Sequence, residues 1–234
     1  MTTHEFRVLQ DQVIGCTLCP ELRSYCSRIA QEKRRAYRDW DYWGRPVPPF
    51  GDVRASLLVI GLAPAAHGGN RTGRMFTGDR SGDFLYRALY ETGFASQAES
   101  QSRGDGLKLK DAYITAAVRC APPDNKPTPQ QFRKCRPHLE REIDLLKHVQ
   151  VVVALGKIAF DTYLGILRDR RVIRSRSAFV FGHNREHRPG PKSPVLISSY
   201  HPSQQNTSTG KLTAEMLREV FERAAELICN PPSE

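Results

Sequence analysis

The sequence predicts a layered α/β domain, on three observations. Four short runs rich in Val, Ile, Leu or Ala read as buried strands, stretches with helical periodicity separate them, and the breaks fall at Asp, Gly and Pro. The strands run from Leu57 to Gly61, Ala112 to Val118, Val151 to Gly156 and Val195 to Tyr200. Helical periodicity covers Asp83 to Thr92, Pro129 to Lys147, Ile158 to Leu167 and Thr213 to Leu227. Strand, helix, strand in alternation is the signature of parallel strands joined by crossover helices. Thr128 reads as an N-cap with Pro129 at the first helical position. Asp111, Pro122 to Pro129 and Arg188 to Pro194 break the elements. Lys33 to Asp52 and Ser96 to Lys110 read as long loops.

With 234 residues, 39% of them hydrophobic, the chain fills one core, so a single domain over 1–234 is expected. A net charge of +10, from 35 basic against 25 acidic residues, favours a polyanionic partner such as nucleic acid. No apolar run approaches the ~20 residues of a membrane span, and Met1 to Gln12 lacks a signal-peptide core. A cytoplasmic protein without membrane attachment is the expectation.

Cys16 and Cys19, with Cys120 and Cys135, form two pairs a hundred residues apart. In a chain without signs of secretion such thiols point to a metal or an iron–sulfur cluster rather than to disulfides. Spacing leaves structural zinc and a cluster both open. Cys26 and Cys229 have no near partner in sequence and read as small buried hydrophobes.

Ligands of open parallel sheets bind at the carboxyl ends of the strands. After the first strand comes Gly61-Leu62-Ala63-Pro64-Ala65-Ala66-His67-Gly68-Gly69-Asn70-Arg71, continuing through Phe76 to Asp79. After the second comes Arg119-Cys120-Ala121-Pro122-Pro123-Asp124-Asn125-Lys126, and after the fourth His201-Pro202-Ser203-Gln204-Gln205-Asn206. The glycine-rich stretch fits neither a P-loop nor a dinucleotide fingerprint. His183 and His187, four apart, lie among Gly182, Pro189 and Gly190, which argue for a loop rather than a metal-binding helix.

These four ordered blocks, Gly-Leu-Ala-Pro-Ala, the Phe76 segment, Val-Arg-Cys-Ala-Pro-Pro and His-Pro-Ser-Gln-Gln-Asn, resemble family 5, or type B, of the uracil-DNA glycosylase superfamily. The resemblance runs from about Cys16 to about Leu227. It implies a three-layer α/β/α sandwich around a four-stranded parallel sheet. It also implies a four-iron, four-sulfur cluster on Cys16, Cys19, Cys120 and Cys135, and excision of uracil, hypoxanthine, xanthine and other damaged bases from double-stranded DNA.

On that resemblance His201 donates to the base carbonyl as negative charge develops, and Phe76 stacks on the flipped base. A plain core phenylalanine competes with the latter. Ala63, Pro64 and Ala65 line the base site where related families place a carboxylate or an asparagine. Asp79 and Asn70 are then the candidates to position water, with His67 weaker, although Asp79 serves equally well as an N-cap near Ser81. Asn125 is a candidate base contact or a turn residue. Thr115-Ala116-Ala117 replaces the asparagine that reads uracil in relatives, so base discrimination is expected to be loose. Arg71, Arg74, Lys126 and Lys211 are candidates for phosphate contacts, and Ser203, Gln204, Gln205 and Asn206 for phosphate or the vacated base position. Lys33 to Trp43 reads first as a solvated helix with core tryptophans, with an addition to the DNA-binding face as the alternative. No motif lysine suggests Schiff-base chemistry, so a monofunctional enzyme acting as a monomer is expected. Two other readings compete: an iron–sulfur module that binds lesions without cutting, and a zinc-clasped adaptor.

Overall fold

The computed structural model describes residues 3–230. Two helices open the chain, α1 (Thr3–Ile14) and α2 (Pro20–Glu32), followed by a 3-10 turn at Arg35–Tyr37 and a two-residue strand β1 (Phe50–Gly51). Then come β2 (Leu57–Gly61), α3 (Gly69–Thr72), α4 (Arg80–Glu91), β3 (Ala112–Ala116), α5 (Pro129–Leu145), β4 (Val151–Leu155) and α6 (Lys157–Asp169). Strands β5 (Arg185–His187) and β6 (Val195–Ser199) precede α7 (Gln204–Ser208) and α8 (Ala214–Cys229).

The sheet order is β1-β3-β2-β4-β6-β5. Its four central strands are parallel, as expected, and the two outer ones pair antiparallel. The four-stranded sheet expected from the sequence is therefore the centre of a six-stranded mixed one. Strand β5 also corrects the loop expected around His183 and His187, because Arg185 to His187 pair with Ser198 to Leu196.

Every residue of the central strands is buried, which accounts for their nearly unbroken apolar runs. Alternate side chains enter opposite layers. Leu57, Val59, Ile114, Val153 and Ile197 pack with Leu85 and Leu89 of α4 and Leu217, Val220 and Phe221 of α8. Leu58, Ile60, Tyr113, Val152 and Leu196 pack with Phe6 and Leu9 of α1, Leu139 of α5, and Phe160, Tyr163 and Leu164 of α6. At about 1.5–3 kcal/mol for each large aliphatic side chain buried, these two layers hold the sheet between its helices. Thr128 caps α5 in a full capping box with Gln131.

Candidate functional site

The loops after β2, β3 and β6 meet at the carboxyl edge of the sheet. There the Phe76 ring lies over the end of β2 so closely that a Cβ on Gly61 would fall 2.6 Å from its Cζ. Phe76 and His201 face each other with ring centroids 5.9 Å apart and planes inclined by 33°. Phe76 adopts a left-handed backbone, φ 50°, which a bulky residue takes only when its surroundings impose it. Those surroundings are specific. The Tyr86 hydroxyl donates to Met75 O at 2.9 Å, Thr77 Oγ1 reaches Met75 O at 3.1 Å and Ser100 Oγ at 2.7 Å, and Arg74 Nε donates to Thr77 Oγ1 at 2.9 Å. Gly82, in the first turn of α4, completes the fit, since a Cβ there would lie 1.8 Å from the Phe76 carbonyl oxygen. Gly82→Ala is therefore expected to lower the melting temperature, although alanine is the better helix former by about 1 kcal/mol.

His201 follows β6 and abuts Gly156, where a Cβ would come within 3.2 Å of the His201 Cβ. Its carbonyl accepts from Asn206 Nδ2 at 2.9 Å. Burial pushes its pKa down to about 4, so the imidazole is neutral at physiological pH. An unfolded histidine takes up its proton near pH ~6.5. The unfolded chain thus binds the extra proton between about 6.5 and 4, and stability falls as pH drops through that window, by up to about 3 kcal/mol at 1.36 kcal/mol per unit. His67, His138, His183 and His187 are shifted down as well, by burial first. Denaturant titrations of wild type and His201→Asn from pH 7 to 4 isolate the His201 share as the difference in slope.

Asp79 is the N-cap of α4, accepting from Gly82 N at 3.0 Å. Its carboxylate lies where a Cβ on Gly68 would be, and burial pushes its pKa up. Asn70 does not join this site. It is fully buried, and its Nδ2 donates to Cys26 O at 3.3 Å and Ala66 O at 3.4 Å, which ties the glycine-rich loop to α2, while its Oδ1 has no partner among the described residues. Asn125 is exposed at φ 55° in the 3-10 turn Pro123–Asn125, so the turn reading describes its conformation. Pro64 is buried and Ala65 half-buried, whereas Ala63 packs toward Cys19, Cys26, Cys120 and Cys135. The Thr115 hydroxyl turns into the core and donates to Glu142.

Two of the expected phosphate ligands are structural instead. Arg71, 3% exposed, lies between the rings of Tyr37 and Trp40, at 3.9 and 4.0 Å, and donates to His67 O and Gly78 O. Arg74, 4% exposed, pairs with Asp105 through both guanidinium nitrogens, at 2.8 and 2.6 Å. Burial alone raises the Asp105 pKa, yet bonds from Arg74 and the amides of Leu107, Gln101 and Ser102 hold it well below the carboxylate range. Neither arginine has a free face for DNA, and the sequence does not reveal this because Tyr37, Trp40 and Asp105 lie some thirty residues away. Arg74→Met is expected to cost about 3 kcal/mol in denaturant unfolding, since a mostly buried carboxylate loses its partner.

Asn206, bonded to the His201 carbonyl, and Ser203, which caps α7 by accepting from Asn206 N at 3.4 Å, hold their own loop together. Gln204, Gln205, Lys126 and Lys211 are exposed, with the Lys211 ammonium 5.0 Å from the Tyr200 ring centre.

Cys16 lies in the turn between α1 and α2, and Cys19 caps α2. With Cys120 and Cys135 they line one cavity, whose other walls include Leu18, Leu22, Val118, Arg119 and Lys134. Among the described residues no three or more His, Cys, Asp or Glu side chains are gathered as a site for one metal ion. Burial raises the thiol pKa of Cys19, and that of Cys135 to about 11. Arg119, 1% exposed, pairs with Glu142 at 2.7 Å, while its Nε and Nη1 have no partner. Four thiols around one cavity beside a buried, under-bonded cation suit a thiolate-ligated anionic group larger than one ion. Cys26 does have a near partner, because it hydrogen-bonds Cys120 and donates to Ala121 O at 3.5 Å. Cys229 is exposed rather than buried.

Residues 48–225 match the Uracil DNA glycosylase superfamily. The chain is 50% identical over 213 residues to a type-5 uracil-DNA glycosylase of Thermus thermophilus, covering 91% of this chain and 94% of the relative. A Pyrobaculum aerophilum protein of the same description is 44% identical over 92% of this chain and 90% of its own length. A type-4 uracil-DNA glycosylase of Archaeoglobus fulgidus is more distant, at 28% identity over 67% of this chain and 70% of the relative. With its parallel sheet, the loops at its carboxyl edge and these similarities taken together, the chain belongs to the uracil-DNA glycosylase superfamily, among the type-5 proteins.

Proposed function

We propose that this protein is a monofunctional DNA glycosylase that turns a deaminated base out of double-stranded DNA and hydrolyses its glycosidic bond. The observation that carries the reading is the neutral His201 imidazole facing the Phe76 ring at the carboxyl edge of the sheet. Phe76 stacks on the extruded base and recovers part of the few kcal/mol that unstacking costs. His201 donates a hydrogen bond to the base carbonyl as the carbon–nitrogen bond breaks and the base leaves as an anion. The oxygen of a water bonds to the anomeric carbon, and its proton passes toward Asp79, whose second carboxylate oxygen holds that water.

Asn is as good an N-cap as Asp, so Asp79→Asn keeps the α4 cap and tests the carboxylate alone. No asparagine reads the base from β3, where Thr115 points away, and this supports acceptance of hypoxanthine and xanthine besides uracil. Cys16, Cys19, Cys120 and Cys135 would hold a four-iron, four-sulfur cluster, which supplies a cross-link between the α1–α2 turn and the loop after β3 rather than chemistry at the base. Among the described residues no helix is long and apolar enough to cross a membrane.

The deciding experiment incubates purified protein with duplexes carrying one uracil or one hypoxanthine, followed by alkali. Strand breaks at the lesion are expected with both. Binding to the uracil duplex without an alkali-labile site would sink the enzyme and favour a lesion-binding module.

A further inference from the structure

With Arg71 and Arg74 buried, Lys126 and Lys211 remain as exposed cations among the expected phosphate ligands, and a further basic group lies beside the glycine-rich loop. Arg34, Arg35 and Arg38 are all exposed, and among the described residues none of them forms an ion pair within 4.0 Å. Instead of the expected solvated helix, Arg35 opens a 3-10 turn, Arg35–Tyr37, which Arg34 and Arg38 flank and which is fastened to the glycine-rich loop. Arg71 is the fastener, held between Tyr37 and Trp40 on one side of the contact and bonded to the loop carbonyls of His67 and Gly78 on the other. The Tyr42 hydroxyl bonds His67 Nδ1 at 3.0 Å, and Trp43 N and Gly44 N donate to Arg71 O and Asn70 O at 2.9 and 3.0 Å. Arg34 stands near enough to His67 for its charge to help lower that imidazole's pKa, after burial.

We infer that Arg35 and Arg38, with Arg34 beside them, form a phosphate-binding rim along the wall of the base site, which grips the backbone of duplex DNA without reading its sequence. In a 3-10 helix residues i and i+3 eclipse, about 6 Å apart along the axis, so Arg35 and Arg38 share one side. That spacing lets the two guanidinium groups reach neighbouring phosphates of one strand. Tyr37 and Trp40 turn toward Arg71, which leaves the cations outward. Asp39 and Asp41 are exposed in the same segment, so the rim is a placed set of arginines rather than a uniform basic run. Exposed guanidinium groups of this kind fix the register of a duplex against a site.

The inference rests on DNA being the substrate, but its test uses undamaged duplex and does not depend on excision. Affinity of the full chain for a 25-base-pair fluorescent duplex is measured between about 50 and 300 mM salt. Replacing Arg35→Gln and Arg38→Gln together is expected to flatten the log–log slope by about 1–2, at about 0.9 per phosphate contact, and to weaken binding about tenfold at low salt. The charge-matched control is Arg174→Gln with Arg176→Gln, exposed residues in the loop after α6, which returns the chain to the amino ends of the strands. Its slope is expected to stay at the wild-type value. A third variant, Tyr37→Ala with Trp40→Ala, keeps the rim's charge but removes its fastening, and is expected to lose affinity as well. Equal slopes for the rim variant and the control would overturn the rim. If wild type binds with the expected slope but releases no base, the glycosylase reading fails and the rim stands.

Discussion

His201→Ala is expected to slow single-turnover release of uracil by about 100-fold or more while leaving the fold and most duplex affinity intact. The size follows from removing one preorganised donor to a developing oxyanion, worth about 3 kcal/mol. The proposed donor is a neutral imidazole, because burial holds its pKa to about 4. The excision rate should therefore show no titration attributable to His201 between pH 5.5 and 8, and the variant should lose the same factor at both ends of that range. Rapid-quench measurement with enzyme in excess separates this step from binding and product release. Excision unaffected by the substitution would leave the glycosylase standing and remove His201 from its mechanism.

If Cys16, Cys19, Cys120 and Cys135 hold the proposed cluster, Cys120→Ala is expected to abolish metal content and to reduce sharply the yield of folded protein. Cys120 lies in the loop that follows β3, next to Arg119, whose amide donates to Cys135 Sγ at 3.3 Å. Wild-type protein prepared without air is expected to be brown, to absorb near ~400 nm and to carry about four irons per chain. One zinc, with no iron or sulfide, would reject the cluster and leave a structural zinc clasp.

The central strands were legible because they are buried on both faces and so read as apolar runs. The outer strands were not, since Phe50–Gly51 and Arg185–His187 are too short to show alternation and owe their conformation to the neighbours they pair with. At the site, motif positions located Phe76 and His201 beside each other, but composition could not say which arginines face water. Arg71 and Arg74 look like ligands in sequence because their partners are remote, and for the same reason the segment of Arg35 and Arg38 reads as a solvated helix before it reads as part of a DNA-binding face. The role of Asn70 as a tie between two backbone segments was not legible, because Cys26, whose carbonyl it bonds, lies 44 residues away.

Phe76 sets the protein's resilience against its usefulness. The left-handed backbone costs about 1–2 kcal/mol that a glycine would not incur. Part of the stability lost with the ring in Phe76→Gly would thus be returned by the relaxed chain. Selection for heat tolerance alone weighs the packing of the ring against this strain, whereas stacking on an extruded base, as proposed, would be a separate reason to keep the phenylalanine under selection for repair of uracil-containing DNA. Survivors of the first kind of selection should be screened for damaged-DNA processing before they are called improved.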